Sequence, residues 1–256
     1  MRCFIGFFGV TRSLRYTAPS INAGFYEPLR RAGITTLRAG HFNLPETIDN
    51  PRSAEVAVPI DRYESRLLDL DLCWMEPQSD SAIAIELEVG RAFPDAFKDG
   101  YRSLKNLCHQ LHSLDRLWSM LRLLGAANDD LVLLLRPDLF YRDALDPIAS
   151  APLLEGRTDL IVPAWQSWGG LNDRFAFCTV RAAEVYATRI QNFVDACVTL
   201  GGMHSESFLS LVARRHGLRI STTAMRAVRV RANGQVASND VSELTDVAQM
   251  REPVAA

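Results

Sequence analysis

Four short stretches of this chain carry side chains able to do chemistry. Arg136-Pro137-Asp138 directly follows an apolar run, Leu131 to Leu135. A guanidinium is a planar cation that matches phosphate or carboxylate. A carboxylate two residues on can hold a hard metal ion or a sugar hydroxyl. The plain alternative is a surface Arg–Asp pair, which does little. Near the start, Gly9 precedes Thr11, Arg12, Ser13 and Arg15. Hydroxyls and guanidiniums after a permissive glycine suit a diphosphate, or else form a solvated basic turn. The third stretch joins Trp165, Trp168, Gly169-Gly170 and Asn172-Asp173-Arg174. Tryptophan faces offer a platform for a sugar ring or a base, and Asn172 and Asp173 can bind hydroxyls. The fourth is Gly201 to Ser207, where His204 and Glu206 flank Ser205. These groups either do chemistry or cap a helix that continues through Phe208 and Leu209.

The surrounding elements decide whether these stretches can meet. Leu131–Leu135 lacks polar alternation, which predicts a strand buried on both faces. Pro137 cannot donate to a ladder, so the strand ends there. Charges just beyond such a strand lie at its C-terminal edge, where open α/β sheets bind ligands. Cys3 to Gly9 reads as the first strand. Ile21, Phe25, Leu29 and Ala32 predict an amphipathic helix over Thr17–Gly33, with a second strand over Ile34–Leu37. Prolines divide 40–99 into short pieces, with a helix expected within 63–73 and a helix or strand over 82–89. His41 is expected after the second strand, as a structural or surface residue. A stripe from Leu104 to Leu124 predicts a helix over Tyr101–Gly125. His109 and His112 lie beside it, without a third metal ligand. Strands are expected at Leu160–Pro163 and Phe175–Cys178, a helix over Val180–Phe193, and a helix capped by Ser205. Terminal strands are expected within Leu218–Arg231, with Arg226, Arg229 and Arg231 on one side. Helix followed by buried strand is the unit of a parallel sheet. The expected organisation is a single domain over 1–235 and a polar tail over 236–256.

Composition excludes several function classes. A net charge of −2, from 28 basic and 30 acidic residues, gives no field for nucleic acid or an anionic membrane. The five cysteines are scattered and form no C-x-x-C, which argues against a zinc knuckle or redox pair and for reduced thiols in the cytoplasm. No run approaches the ~18 apolar residues of a membrane span. Residues 3–10 are apolar, but Thr11-Arg12 stands where a signal peptide would be cleaved. The expected location is cytoplasmic, with peripheral attachment at the inner membrane left open. The glycines after the first strand do not match the dinucleotide fingerprint, which weakens a nicotinamide-dependent reading.

In segment order the chain resembles bacterial GT-A-like glycosyltransferases found with surface-polysaccharide synthesis genes. The resemblance is carried by Arg12-Ser13-Leu14-Arg15-Tyr16-Thr17 with Pro19-Ser20-Ile21, by Leu135 to Leu139, by Gly169 to Phe177, and by His204-Ser205-Glu206 before Phe208-Leu209. It spans residues 2–234, and Asn172 to Ala176 is its most specific piece. It implies a GT-A-like (Rossmann-like) α/β fold, with a mostly parallel central sheet flanked by helices. It also implies transfer of a sugar from a nucleotide-diphosphate donor to a glycan or lipid-linked acceptor. Gly9, Thr11, Arg12, Arg15, Arg136 and Asp138 are then the expected donor-binding set. Trp168, Gly170, Asn172, Arg174 and His204 are the expected substrate contacts. Asp173 first, and Glu206 second, is the expected carboxylate base of an inverting transfer. The family's D-x-D motif, which holds the donor through manganese or magnesium, corresponds here to Arg136-Pro137-Asp138. Arginine in the first acidic place leaves Asp138 as the candidate metal ligand and Arg136 as a candidate phosphate partner. The competing class is a non-catalytic nucleotide-sugar or glycan-binding scaffold on the same fold.

Overall fold

The computed structural model describes residues 2–50, 55–146, 151–237 and 240. In chain order the strands are β1 (Arg2–Gly9), β2 (Thr35–Leu44), β3 (Thr47–Asn50), β4 (Glu55–Pro59), β5 (Leu72–Pro77), β6 (Leu131–Leu135), β7 (Leu139–Tyr141), β8 (Leu160–Pro163), β9 (Phe175–Thr179), β10 (Ile220–Thr223) and β11 (Ala227–Arg229). The helices are α1 (Leu14–Ile21), α2 (Glu27–Arg31), α3 (Ala84–Arg91), α4 (Arg102–Leu123), α5 (Ala151–Leu154), α6 (Val180–Ala187), α7 (Phe193–Leu200) and α8 (Ser205–Arg215).

Seven strands form the central sheet in the order β10-β8-β9-β6-β1-β2-β5. All run parallel except β9, which is antiparallel to both of its neighbours, β6 and β8. Two ribbons, β7 with β11 and β3 with β4, complete the strands. The expected mostly parallel sheet flanked by helices is present in a single domain.

The unbroken apolar run of β6 follows from its position. Val132 and Leu134 pack with Leu117, Trp118 and Leu121 of α4 and Ala183 of α6. Leu131, Leu133 and Leu135 pack on the other face, with Leu14 and Ile21 of α1 and Leu29 of α2. A strand covered on both sides has no face left for polar residues, and each buried leucine contributes roughly 1.5–3 kcal/mol. At Gly6 of β1 an added Cβ would lie 2.7 Å from Leu117 Cδ2. Glycine there lets α4 rest directly on the sheet.

Several boundaries differ from expectation for physical reasons. The first helix begins at Leu14, whose N–H is accepted by the Glu64 carboxylate at 3.1 Å. It continues into α2 through a π turn over Asn22–Tyr26. Pro28 has no N–H to give to the Gly24 carbonyl, which accepts from Leu145 N at 2.7 Å instead. His41 lies within β2, since that strand runs on to Leu44. Segment 63–73 holds only a short 3₁₀ turn over Glu64–Leu68 before β5 begins at Leu72. The expected helix over Val180–Phe193 is interrupted by a 3₁₀ turn, Thr188–Asn192, between α6 and α7. Most of 236–256 lies outside the described residues, but Asp240 is described and fully buried. Four cysteines are buried and Cys73 is exposed, all as free thiols. Among the described residues no helix is long and apolar enough to cross a membrane.

Candidate functional site

The reversed direction of β9 assembles the site. The parallel strands bring their C-terminal ends to one rim, and the antiparallel β9 brings its N-terminal end to the same rim. Leu135 pairs with Phe175, and Phe7 with Leu135. Arg136, Arg174 and the turn at Gly9 therefore emerge side by side. Gly9 has φ +108°, a conformation open to glycine, as β1 ends. The fourth stretch is tied in by α8. Leu171 N–H donates to the Glu206 carbonyl at 3.0 Å, and a Cβ on Gly170 would fall 2.1 Å from that same oxygen. The four stretches converge on one cleft of about 920 Å³. Its lining includes Gly9, Arg12, Gln110, Arg136, Asp138, Trp168, Asp173, Arg174, His204, Glu206, Arg229 and Arg231.

The turn after β6 is pinned from two sides. Thr17 Oγ1 donates to the Pro137 carbonyl at 2.6 Å, and Val230 N–H to the Asp138 carbonyl at 2.8 Å. Arg136 grips Asp138 with both forks: Nε to Oδ1 at 2.9 Å and Nη2 to Oδ2 at 2.8 Å. Arg12 Nη2 adds a bond to Oδ2 at 2.7 Å. Burial alone would raise the Asp138 carboxyl; the Arg136 and Arg12 guanidiniums outweigh it and hold the group well below the usual carboxylate range.

Asp173 and Glu206 occupy different environments. Asp173 Oδ2 accepts from Ser205 Oγ and from Gln110 Nε2 at 3.2 Å. The fully buried Arg189 stands behind it at 3.7 Å. Gln110 also accepts from Arg136 Nη1 at 3.1 Å, which links the two halves of the cleft. Glu206 has His204 Nδ1 at 3.2 Å, and His204 stacks on Phe97 with ring centres 5.7 Å apart. Burial, and then the charge of Asp173, push the Glu206 carboxyl up to about 7, with Arg174 and Arg229 opposing. A carboxyl poised near neutral pH is suited to proton transfer.

Some expected site residues do structural work instead. Thr11 is buried away from the lining. Arg15 donates to the Ala232 carbonyl at 2.9 Å, pairs with Glu64 at 3.7 Å and lines a separate hollow of about 470 Å³. Asn172 staples its own loop, donating to the Trp165 carbonyl at 2.6 Å and accepting from Arg174 N–H at 2.9 Å. Gly170 is the contact with α8 described above. Ser205 does not cap α8: the N-cap is His204, without a side-chain cap bond, and the Ser205 hydroxyl is spent on Asp173.

Two acids near the cleft, Glu55 and Asp240, carried no sequence signal. Glu55 lies 3.6 Å from Arg12 and 3.8 Å from Arg231. Asp240 joins Arg174 at 3.0 Å and Arg229 at 2.8 Å. Arg229 and Arg231 share the cleft, whereas Arg226 pairs with Asp143 away from it. His41 lies apart from this chemistry, whereas His109 lines the cleft. His41 is pushed down to about 4, chiefly by burial, and His109 pairs with Asp80 at 3.1 Å.

The donor set does not fit a divalent ion of the D-x-D kind. Such an ion takes one or two carboxylates, and the carboxylate on this turn, Asp138, has both oxygens occupied by guanidiniums. At ~4 Å each guanidinium would repel a dication by roughly 8 kcal/mol at an effective dielectric near 20. Among the described residues no group of three or more His, Cys, Asp or Glu could hold a metal.

No protein-family model matches the sequence, and no curated protein matches it. Among solved structures, the chain is similar to mouse xyloside xylosyltransferase 1 in its apo form, with TM-score 0.39, 11% identity, and coverage of 87% of this chain and 84% of that one. It is also similar to the galactosyltransferase LgtC in complex with donor and acceptor sugar analogues, with TM-score 0.43, 12% identity, and coverage of 86% and 73%. At TM-scores below one half, function is read from the cleft itself.

Proposed function

We propose that the chain is a glycosyltransferase that moves a sugar from a nucleotide-diphosphate donor to a glycan or lipid-linked acceptor, in the synthesis of surface polysaccharide. The observation that supports this best is the convergence of Arg12, Arg136, Asp138, Asp173 and Glu206, from far apart in the chain, on one cleft. The donor lies over the turn at Gly9 and the Arg136–Asp138 turn, where cations meet the leaving diphosphate. The acceptor approaches past Trp168, whose ring is exposed on the cleft wall.

Glu206 takes the acceptor hydroxyl's proton. Its carboxyl is about half ionised at neutral pH, whereas Asp173 is occupied by Ser205 and Gln110. Asp173 positions Ser205 and Gln110 and, by its charge, helps to keep Glu206 protonatable. This ordering reverses the one expected from the sequence.

Release of nucleoside diphosphate from a panel of nucleotide sugars, with and without acceptor glycans, tests the reading. Acceptor-dependent release by the purified chain, lost in Glu206→Gln, is expected. Tight donor binding without turnover on any pair would place the chain among non-catalytic binding proteins.

A further inference from the structure

We infer that the donor's diphosphate is held by Arg12 and Arg231 beside the fixed cation of Arg136, with no divalent ion between protein and phosphates. The inference rests on the donor reading above and specifies how that donor is recognised. Arg12 lies in the loop before α1 and Arg231 just beyond β11, more than two hundred residues apart in the chain. Both line the cleft. They share Glu55 at 3.6 and 3.8 Å, separations longer than a hydrogen bond.

In this group three guanidiniums, Arg12, Arg136 and Arg231, face two carboxylates, Asp138 and Glu55. Within these five side chains one positive charge is left over. Nε of Arg12 and Nε of Arg231 are buried with no hydrogen-bond acceptor among them. Burial, and then the charge of Arg12, draw Arg231 down to about 10. Crowded cations with unmet N–H groups are costly. A diphosphate brings negative charge and acceptor oxygens together, and the planar fork of arginine matches them.

Titration calorimetry of the full chain with UDP, ADP, GDP and CDP and with their nucleotide sugars, first in EDTA and then with manganese, tests this. The diphosphate that binds is expected to show a Kd differing by less than about tenfold between the two buffers. Arg231→Gln is expected to weaken it by about tenfold or more in both. Arg12→Gln serves as the second variant if Arg231→Gln melts early, and manganese alone, followed by its paramagnetic resonance, is expected to stay free. Binding that needs manganese, or tightens about tenfold or more in it, overturns the inference and leaves the donor reading standing. Unchanged affinity in both folded variants also overturns it. No binding of any nucleoside diphosphate or nucleotide sugar in either buffer overturns the inference and the donor reading together.

Discussion

Glu206→Gln should make this protein more stable at pH 8 while abolishing its activity. The side chain sits largely out of water beside Asp173, and its carboxyl is raised from 4.5 to about 7. Each unit of that rise corresponds to ~1.4 kcal/mol. Ionising Glu206 in the fold therefore costs on the order of 3 kcal/mol. The folded pKa is the higher one, so the native state binds the proton more tightly. The resulting stability is fully present below pH 4.5 and is lost as pH rises through about 7. Glutamine matches the shape of the protonated acid and never ionises. Wild type and variant should melt together near pH 4 and separate by roughly 6–12 °C near pH 8, at ~2–4 °C per kcal/mol for a chain of this size. Wild-type transfer should rise with pH through about 7 as the base form appears. Asp173→Asn should move that rise to lower pH by removing the neighbouring charge. Scanning calorimetry across pH, paired with donor-release rates, measures both. A melting gap that does not change with pH, or a rate flat across the same range, would refute the assignment of Glu206.

Gly170→Ala would place a methyl 2.1 Å from the Glu206 carbonyl oxygen, where ordinary contact begins at 3.4 Å, so the first turn of α8 must retreat. A displacement of about 1 Å is expected to lower kcat/KM roughly a hundredfold, with overpacking costing ~1–3 kcal/mol in a melt; wild-type kinetics would contradict the packing. Asp138→Ala strips the carboxylate from two largely buried arginines and should destabilise by about 3–5 kcal/mol in urea unfolding. Because its folded pKa is depressed, the Asp138 contribution is present above about pH 3.8 and fades as acid titrates the group, which an acid-unfolding curve would show. Asp240→Ala removes the buried carboxylate joining Arg174 to Arg229 and should cost about 3 kcal/mol, read the same way.

Where one face or both of a segment packs, the sequence declared it. The bounds of β6 and β8 follow from unbroken apolar runs, and α4 from its leucine stripe. The direction of β9 was not legible, because a strand buried on both faces has the same composition whichever way it runs. That direction is what brings Asn172-Asp173-Arg174 to the rim. The π turn before α2 was hidden because the spacing of Ile21, Phe25 and Leu29 reads as one continuous helix, and only the tertiary contact from Leu145 shows how Gly24 is satisfied. Arg136, Asp138, Asp173 and Glu206 stood out as charges beside apolar runs. Glu55 and Asp240 did not, being lone acids whose partners, Arg12, Arg174, Arg229 and Arg231, are identified only by folding. Gln110, a neutral amide on a long helix, gave no chemical sign of the bridge it makes between Arg136 and Asp173.

The most direct measurement is a crystal structure of the chain with whichever nucleotide sugar raises its melting temperature most. The diphosphate should lie at the rim beyond Gly9, against Arg12 and Arg231, with the sugar turned toward Glu206. A nucleotide seated in the hollow beside Arg15, or a panel in which no nucleotide sugar shifts the melt, would contradict a donor site built where these strands end.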